Sequence, residues 1–206
     1  GVNMAGYCIC DDEVCGEAYL QEIIRRYYTA LSTMADGKNN DQEVNKISLL
    51  MRQMKLTTAD RKATVAAKER KEQAGTPAAA IELADGTLIT AETSALLGPS
   101  AALLLNATKH LAHIDHQVKL IPQEMIEPIQ RMKTSFLHGI NPRLHTDEVL
   151  VALAVLSQHD ENCRTALDTL PLLDGCQVHA TVMLSEVDRK IFKKLGCDLT
   201  VDPVKK

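Results

Sequence analysis

Gly175–Thr200 reads GCQVHATVMLSEVDRKIFKKLGCDLT, and the class of the fold turns on it. "VHATVML" is a short run rich in β-branched and apolar residues, the pattern of a buried strand. Ser185 then stands before an amphipathic stretch that ends at Gly196, a helix with a cap and a stop. "CDLTV" follows as a second strand. A strand, a helix and a strand at this spacing form a βαβ unit with parallel pairing. The stretch also holds Cys176 and His179, three residues apart, and Cys197, which raises the question of a site.

Upstream the texture is similar, then changes. "AAAIELADGTLITAE" places two apolar runs about Asp85-Gly86, a strong hairpin signal. Pro99 suits the first turn of a buried helix reaching about His113, entered through Gly98 or the serines. Residues 124–137 read as a helix interrupted near Pro128. "NPRLHTDEVLVALAVLSQ" reads as a loop feeding a helix with Thr146 at its cap and Asp147 and Glu148 in its first turn. A short helix from about Arg164 to Leu170 stops at Pro171. Toward the beginning, Leu20, Ile23, Ile24, Tyr27, Leu31 and Met34 recur at helical spacing, and Val44, Ile47, Met51 and Met54 form a second stripe. A third helix, opened by Thr57 or Thr58 and running to Gly75, is polar almost all round; such a helix is exposed or covers another subunit. The expected architecture is α/β: a mainly helical segment over 1–75, then an α/β domain over 76–206 with a mixed sheet covered by helices.

Bulk numbers restrict the function classes. The chain has 206 residues, 45% apolar and 24% charged, ordinary globular usage. Aromatics are only 3% and tryptophan is absent, so aliphatic side chains must fill the core. Net charge is −4 and no basic face is evident, which argues against nucleic-acid binding. No apolar run is long enough for a membrane span. The 6 cysteines cluster as Cys8, Cys10 and Cys15 at one end and Cys163, Cys176 and Cys197 far away, a distribution that suits reduced thiols and a cytoplasmic protein. The chain opens inside "GVNMAG", in loop chemistry with no lead-in, as a C-terminal piece of a longer protein would.

Four constellations carry candidate chemistry. Cys176 and His179 supply one pair where a closed zinc site needs four ligands, and an odd spacing on a strand sends them to opposite faces, which disfavours a nucleophile–base pair. His179 remains a candidate acid or base, against the plainer reading of a core histidine bonded beside a strand. Thr93, Ser94, Gly98 and Ser100 place hydroxyls and free N–H groups before a buried helix, a seat for phosphate or carboxylate; simple capping uses the same residues. In the loop Asn141–Glu148, Arg143 offers bidentate anion recognition, and His145 with Asp147 reads as a base with its orienter; a salt-bridged helix cap is the alternative. His110, His113 and His116 diverge around a helix and read as surface. No metal site is expected, and no cofactor is specified.

The motifs DDEVC (11–15), QEIIRRYY (21–28), PAAAIEL (77–83), TSALLG (93–98), EPIQ (127–130) and NPRLHTDEVL (141–150), with the closing βαβ pattern, resemble the C-terminal part of the bacterial domain-of-unknown-function-1846 family. Some members carry the label "ATP-dependent peptidase". The resemblance implies a longer protein with a glycine-rich, phosphate-loop-like segment upstream. Neither a His-Glu-x-x-His zinc signature nor a Gly-x-Ser-x-Gly elbow supports the peptidase label here. The expected function is that of the C-terminal domain of a nucleotide- or phosphometabolite-binding enzyme, assembling with the N-terminal portion of the same protein and as a homo-oligomer. The competing expectation is a structural or oligomerisation module with no site of its own.

Overall fold

The computed structural model describes residues 11–204; Cys8, Cys10 and the "GVNMAG" opening lie outside them. The chain divides into two compact units, Gly1–Arg61 and Lys62–Lys206.

In the first unit, α1 (Asp12–Ala35) and α2 (Asp41–Gln53) pack on each other. Asp11 caps α1 by accepting from the N–H groups of Glu13 and Val14. Ile23, Ile24, Tyr28, Ile47, Met51 and Leu56 form the core; Ile23, Ile24, Ile47 and Met51 belong to the two apolar stripes, Leu20, Tyr27, Leu31 and Val44 pack at its edge, and Met54 is exposed. Thr57 caps not a long helix but a 3-10 turn, Thr58–Asp60.

The second unit begins with α3 (Lys62–Ala74), the helix that is polar almost all round. The helix is not simply exposed: α3 lies on the sheet of its own chain, against β1, β2 and β3. Its contact face is Ala63, Thr64 and Ala67, all buried. Side chains this small let the helix approach closely without a conspicuous apolar stripe. Lys62 and Arg70 then reach down to the strands and pair with Glu82 at 2.8 Å and Glu92 at 2.7 Å.

The strands are β1 (Ala78–Glu82), β2 (Leu88–Glu92), β3 (Gln177–Ala180) and β4 (Asp198–Val201). Their order is β2-β1-β3-β4. β1 pairs antiparallel with both β2 and β3, and β3 pairs parallel with β4. The sheet is therefore mixed and the fold is α/β, as the hairpin and the closing βαβ pattern require. Gly86 turns the hairpin with φ +83°, a conformation that favours glycine. Gly196 ends the crossover helix with φ +76°, and a Cβ there would stand 1.8 Å from Asp174 Oδ1.

The two faces of the sheet differ. Ala79, Ile81, Ala91, Val178, Ala180 and Val201 share one face and join Leu103, Leu104, Ala107 and Phe192 in the main core. These last belong to α4 (Pro99–Leu111) and α8 (Glu186–Lys194). The register places Ala80, His179 and Thr200 on the other face, the side of α3. Beyond α4 a second core gathers Ala101, Ile126, Leu144, Val149, Leu153 and Ala166 between α4 and the remaining helices, α5 (Gln123–Arg131), α6 (Thr146–Leu156) and α7 (Glu161–Asp168). Pro128 stays inside α5, which passes into a π-helical turn, Met132–Phe136.

Candidate active site

The loop before α4 and the loop before α6 are distant in sequence but lie side by side. A parallel bridge joins Leu97 to Leu144: Leu144 N donates to Leu96 O at 3.0 Å and Gly98 N donates to Leu144 O at 3.3 Å. Arg143 Nε adds a bond to Ser94 O at 2.7 Å. The second loop is fixed from its other side by Lys133, whose ammonium donates to Arg143 O at 2.6 Å and to Glu148 Oε2 at 2.7 Å. Glu148 Oε2 in turn accepts from His145 N at 2.7 Å. His145, not Thr146, is the residue before the helix, and Thr146 is the first residue of α6.

The βαβ unit completes the site. Ser185 caps α8, accepting from Asp188 N at 3.1 Å. Asp188 is buried and its carboxylate gathers four bonds. Oδ2 lies 3.0 Å from His145 Nδ1 and accepts from Ser185 Oγ at 2.7 Å. Oδ1 accepts from Thr146 N at 2.9 Å and from Thr146 Oγ1 at 3.0 Å. Burial works to raise the Asp188 pKa, but the bonds from His145, Thr146 and Ser185 outweigh it and hold the group at about 2. The same contact with Asp188 raises the His145 pKa above its usual value, against the opposing effect of burial.

A carboxylate only accepts, so Nδ1 of His145 carries the proton it gives to Asp188. Nε2 takes no partner among the described residues, and the imidazole lines a cleft of about 170 Å³. Gly98, Pro99, Ser100, Asn141, Met183 and Ser185 line it too. Three helix beginnings thus meet there. Those of α6 and α8 are filled by the protein's own groups, Asp188 and Ser185. That of α4 is open: Gly98 makes no side-chain cap, and the N–H groups of Ser100 and Ala101 have no carbonyl partner in the helix. Ser100 is 2% exposed, and its hydroxyl takes no partner among the described residues.

Ser185, His145 and Asp188 are not a serine-protease triad. Ser185 Oγ stands 3.4 Å from Nδ1, the nitrogen already committed to Asp188, whereas a triad sets the nucleophile on the opposite nitrogen. What the arrangement can do is hold one tautomer of His145 and present Nε2 to a ligand for proton transfer.

The sequence candidates separate in the structure. Gly98, Ser100 and His145 come together at the cleft. Ser94 faces its own turn, accepting from Leu96 N and Leu97 N. The Thr93 hydroxyl donates to Pro77 O at 2.8 Å. Arg143 braces the two loops instead of lining the cleft. Asp147 lines an apolar groove between α5 and α6, with Met125, Ile129, Val151 and Val155; the carboxylate bonded to His145 is that of Asp188. His179 is fully buried, 2.9 Å from Thr200 Oγ1 through Nδ1, with Nε2 3.5 Å from Asp202 Oδ1, an ion-pair contact longer than a good hydrogen bond. It lies on the α3 side of the sheet and does not line the His145 cleft. Cys176 and Cys197 are buried, and their thiols point at the carbonyls of Leu172 and Leu173. Burial pushes the Cys176 thiol up and Cys197 to about 12, so neither supplies a thiolate near neutral pH. Among the described residues no three His, Cys, Asp or Glu side chains gather as a metal-holding group, and no helix is long and apolar enough to cross a membrane. His110, His113 and His116 are exposed.

Asp188 and Ser185 were the residues the sequence concealed. S-E-V-D reads as an ordinary cap with an acid in the first turn, and nothing local says that the acid reaches His145.

Residues 59–206 match the domain described as "Domain of unknown function DUF1846, C-terminal", and residues 1–55 match "Domain of unknown function DUF1846, N-terminal". The chain is 51% identical over 204 residues to a UPF0371 protein of Corynebacterium aurimucosum, 44% over 204 residues to one of Streptococcus uberis, and 43% over 203 residues to one of Streptococcus pneumoniae. These alignments cover 98–99% of the chain but 41% of each relative. The resemblance to the C-terminal part alone is too narrow, since the first 55 residues carry the N-terminal domain's signature. The chain belongs to the DUF1846 family, with both of its domains represented.

Proposed function

We propose that the chain supplies an acid–base site to an enzyme acting on a nucleotide or a phosphorylated metabolite, with His145 as the group that moves the proton and Asp188 as the residue that orients it. The observation that carries this reading is the buried Asp188 bonded to His145 Nδ1 at 3.0 Å, with Nε2 left to a cleft. A histidine held this way has one tautomer, a pKa moved by its partner, and access to a ligand, the three properties a general acid or base needs. Lys133 and Glu148 hold the backbone of His145 in place, so that the geometry persists without ligand.

The test is a turnover screen. The protein is incubated with nucleotides and sugar phosphates, and consumption is followed by phosphorus NMR. Turnover that disappears in His145→Gln, with an unchanged circular dichroism spectrum, supports the reading; turnover that His145→Gln leaves intact removes His145 from the chemistry.

A second reading, an assembly module, has its own support in the apolar groove between α5 and α6. Met125, Val151 and Val155 are exposed along it, and Phe136, Leu137 and Ile140 are exposed in the segment that follows α5. A surface of this kind is unusual on a lone monomer. The occupant proposed is a second copy of the chain. Light scattering decides: a dimer that Val151→Glu dissociates favours it, and a monomer at all concentrations opposes it.

A further inference from the structure

We propose that the N-terminus of α4 is a phosphate seat for a small phosphomonoester, held by the N–H and the hydroxyl of Ser100, with His145 lining the same cleft. The inference deepens the acid–base reading by naming the ligand that the site takes.

Four observations carry it. First, α4 is 13 residues long and begins without a side-chain cap, so the partial positive charge of its N-terminus is not neutralised by the protein. The other two helix beginnings at the cleft are occupied by Asp188 and Ser185. Second, Ser100 is almost wholly buried and lines the cleft, yet its hydroxyl has no partner among the described residues. The side chain is held in place by burial, and its hydroxyl is left to bond a group that enters the cleft. Third, among the described residues the ionisable side chains that line the cleft are His145 and Asp188. The Asp188 carboxylate is turned onto His145, Thr146 and Ser185, which leaves donors facing the cleft. The N–H and hydroxyl of Ser100 and a protonated imidazole suit the several terminal oxygens of a phosphate group. Fourth, the cleft holds about 170 Å³, below the ~300–1,000 Å³ typical of pockets that enclose drug-sized ligands. It accommodates a phosphate and a short carbon chain, and a nucleoside would have to remain outside.

Gly98 offers a test that does not disturb folding. Its φ of −69° suits any residue. A Cβ there would meet Leu144 O at 3.7 Å and Ser100 Oγ at 3.9 Å, ordinary contacts. Gly98→Ala therefore keeps the fold and fills space beside the proposed seat.

The experiment is a titration of the ¹⁵N-labelled chain with inorganic phosphate, glycerol 3-phosphate and acetate at pH 6 and pH 8. Both phosphates are expected to shift the amide signals of Ser100 and Ala101 saturably, with glycerol 3-phosphate at least as tight as inorganic phosphate. Gly98→Ala and Ser100→Ala are expected to weaken binding tenfold or more. Binding is expected to be tighter at pH 6, where His145 carries its proton. Lys133, Glu148 and Asp188 surround that histidine, so His145→Gln is the control, and it should flatten the difference. Absence of saturable shifts at Ser100 and Ala101, unchanged affinity in Gly98→Ala, or acetate binding as tightly as phosphate would each overturn the proposal. Its failure is distinct from failure of the acid–base reading. Turnover that survives in Gly98→Ala removes the seat and keeps the enzyme, whereas phosphate on α4 without any turnover keeps the seat and removes the enzyme.

Discussion

Two histidines, His145 and His179, each face an aspartate inside the fold, and they have opposite fates. His145 stands where three helices begin, with a buried aspartate 3.0 Å away and a cleft on its other side. His179 stands in the middle of the sheet beneath α3, with Thr200 on Nδ1 and Asp202 3.5 Å from Nε2. The chemistry of the pair is similar in both. The difference is what surrounds it. At His179 both nitrogens are turned to protein and the side chain is fully enclosed, so it completes a polar seam between the sheet and a helix. At His145 only one nitrogen is taken. A histidine–carboxylate pair is a candidate site only where the backbone leaves one nitrogen open, and helix beginnings leave that opening more readily than strand interiors.

The strongest way to break this comparison is to remove the aspartates. Asp188→Ala leaves Thr146 N, both hydroxyls and His145 without their buried partner, and is expected to cost about 3–5 kcal/mol. Asp202→Ala removes one longer contact, 3.5 Å, where Asp188 makes four, and is expected to cost less, about 1–3 kcal/mol for the buried imidazole nitrogen left without it. Urea unfolding of the two variants measures the ratio. Equal losses would mean that the two pairs are structural equivalents and that the cleft pair has no special place.

The histidines themselves come next. His179→Ala opens a void in a wholly enclosed position and is expected to lower stability by about 3 kcal/mol, while leaving phosphate shifts at Ser100 and Ala101 unchanged. His145→Ala is expected to cost about 1.5 kcal/mol, the scale of one hydrogen bond to a charged group, and to weaken phosphate binding. If His179→Ala is the variant that abolishes binding, the assignment of the site is wrong.

A smaller effect separates the pairs by pH. The His145 pKa is raised in the folded state, so its stabilising contribution is fully present below about pH 6.5 and is lost as pH rises through the higher folded value. Asp188 behaves in the opposite sense: its folded pKa is depressed to about 2, so its contribution is present above about pH 4 and is lost as pH falls toward 2. Unfolding midpoints between pH 6 and 9 should fall in the wild-type chain, and the slope should diminish in His145→Gln. An unchanged slope in that variant would place the titrating group elsewhere.

How much of this was legible in the sequence depended on the range of the signal. The hairpin at Asp85-Gly86, the start of α4 at Pro99 and the capped crossover from Ser185 to Gly196 depend on residues within a turn of one another, and all three are present in the structure. The seat of α3 on the sheet is not legible, because Ala63, Thr64 and Ala67 make that contact through small side chains, which leave almost no periodic stripe. His145 was legible as a candidate because a histidine in a polar loop before an apolar helix is conspicuous. Its partner was not. Asp147 is two residues away and looked the natural choice, yet in the first turn of α6 it faces the groove with Val151 and Val155. Asp188 reaches His145 only because β3 and α8 return the chain to the same place, 43 residues later.

The smallest predicted effect tests the part of the sequence reading that the geometry divides in two. Thr93, Ser94, Gly98 and Ser100 form one anion-ready loop on paper. In the fold, Ser94 Oγ accepts from Leu96 N at 3.2 Å and Leu97 N at 3.0 Å, holding the turn that delivers Leu97 to its bridge with Leu144. Ser100 alone keeps its hydroxyl for the cleft. Ser94→Ala is therefore expected to cost about 0.5–1 kcal/mol through the lost turn and to leave phosphate affinity within twofold, while Ser100→Ala barely changes the unfolding midpoint and weakens phosphate tenfold. The reverse pattern would move the seat from the helix to the turn before it, and with it the ligand away from His145.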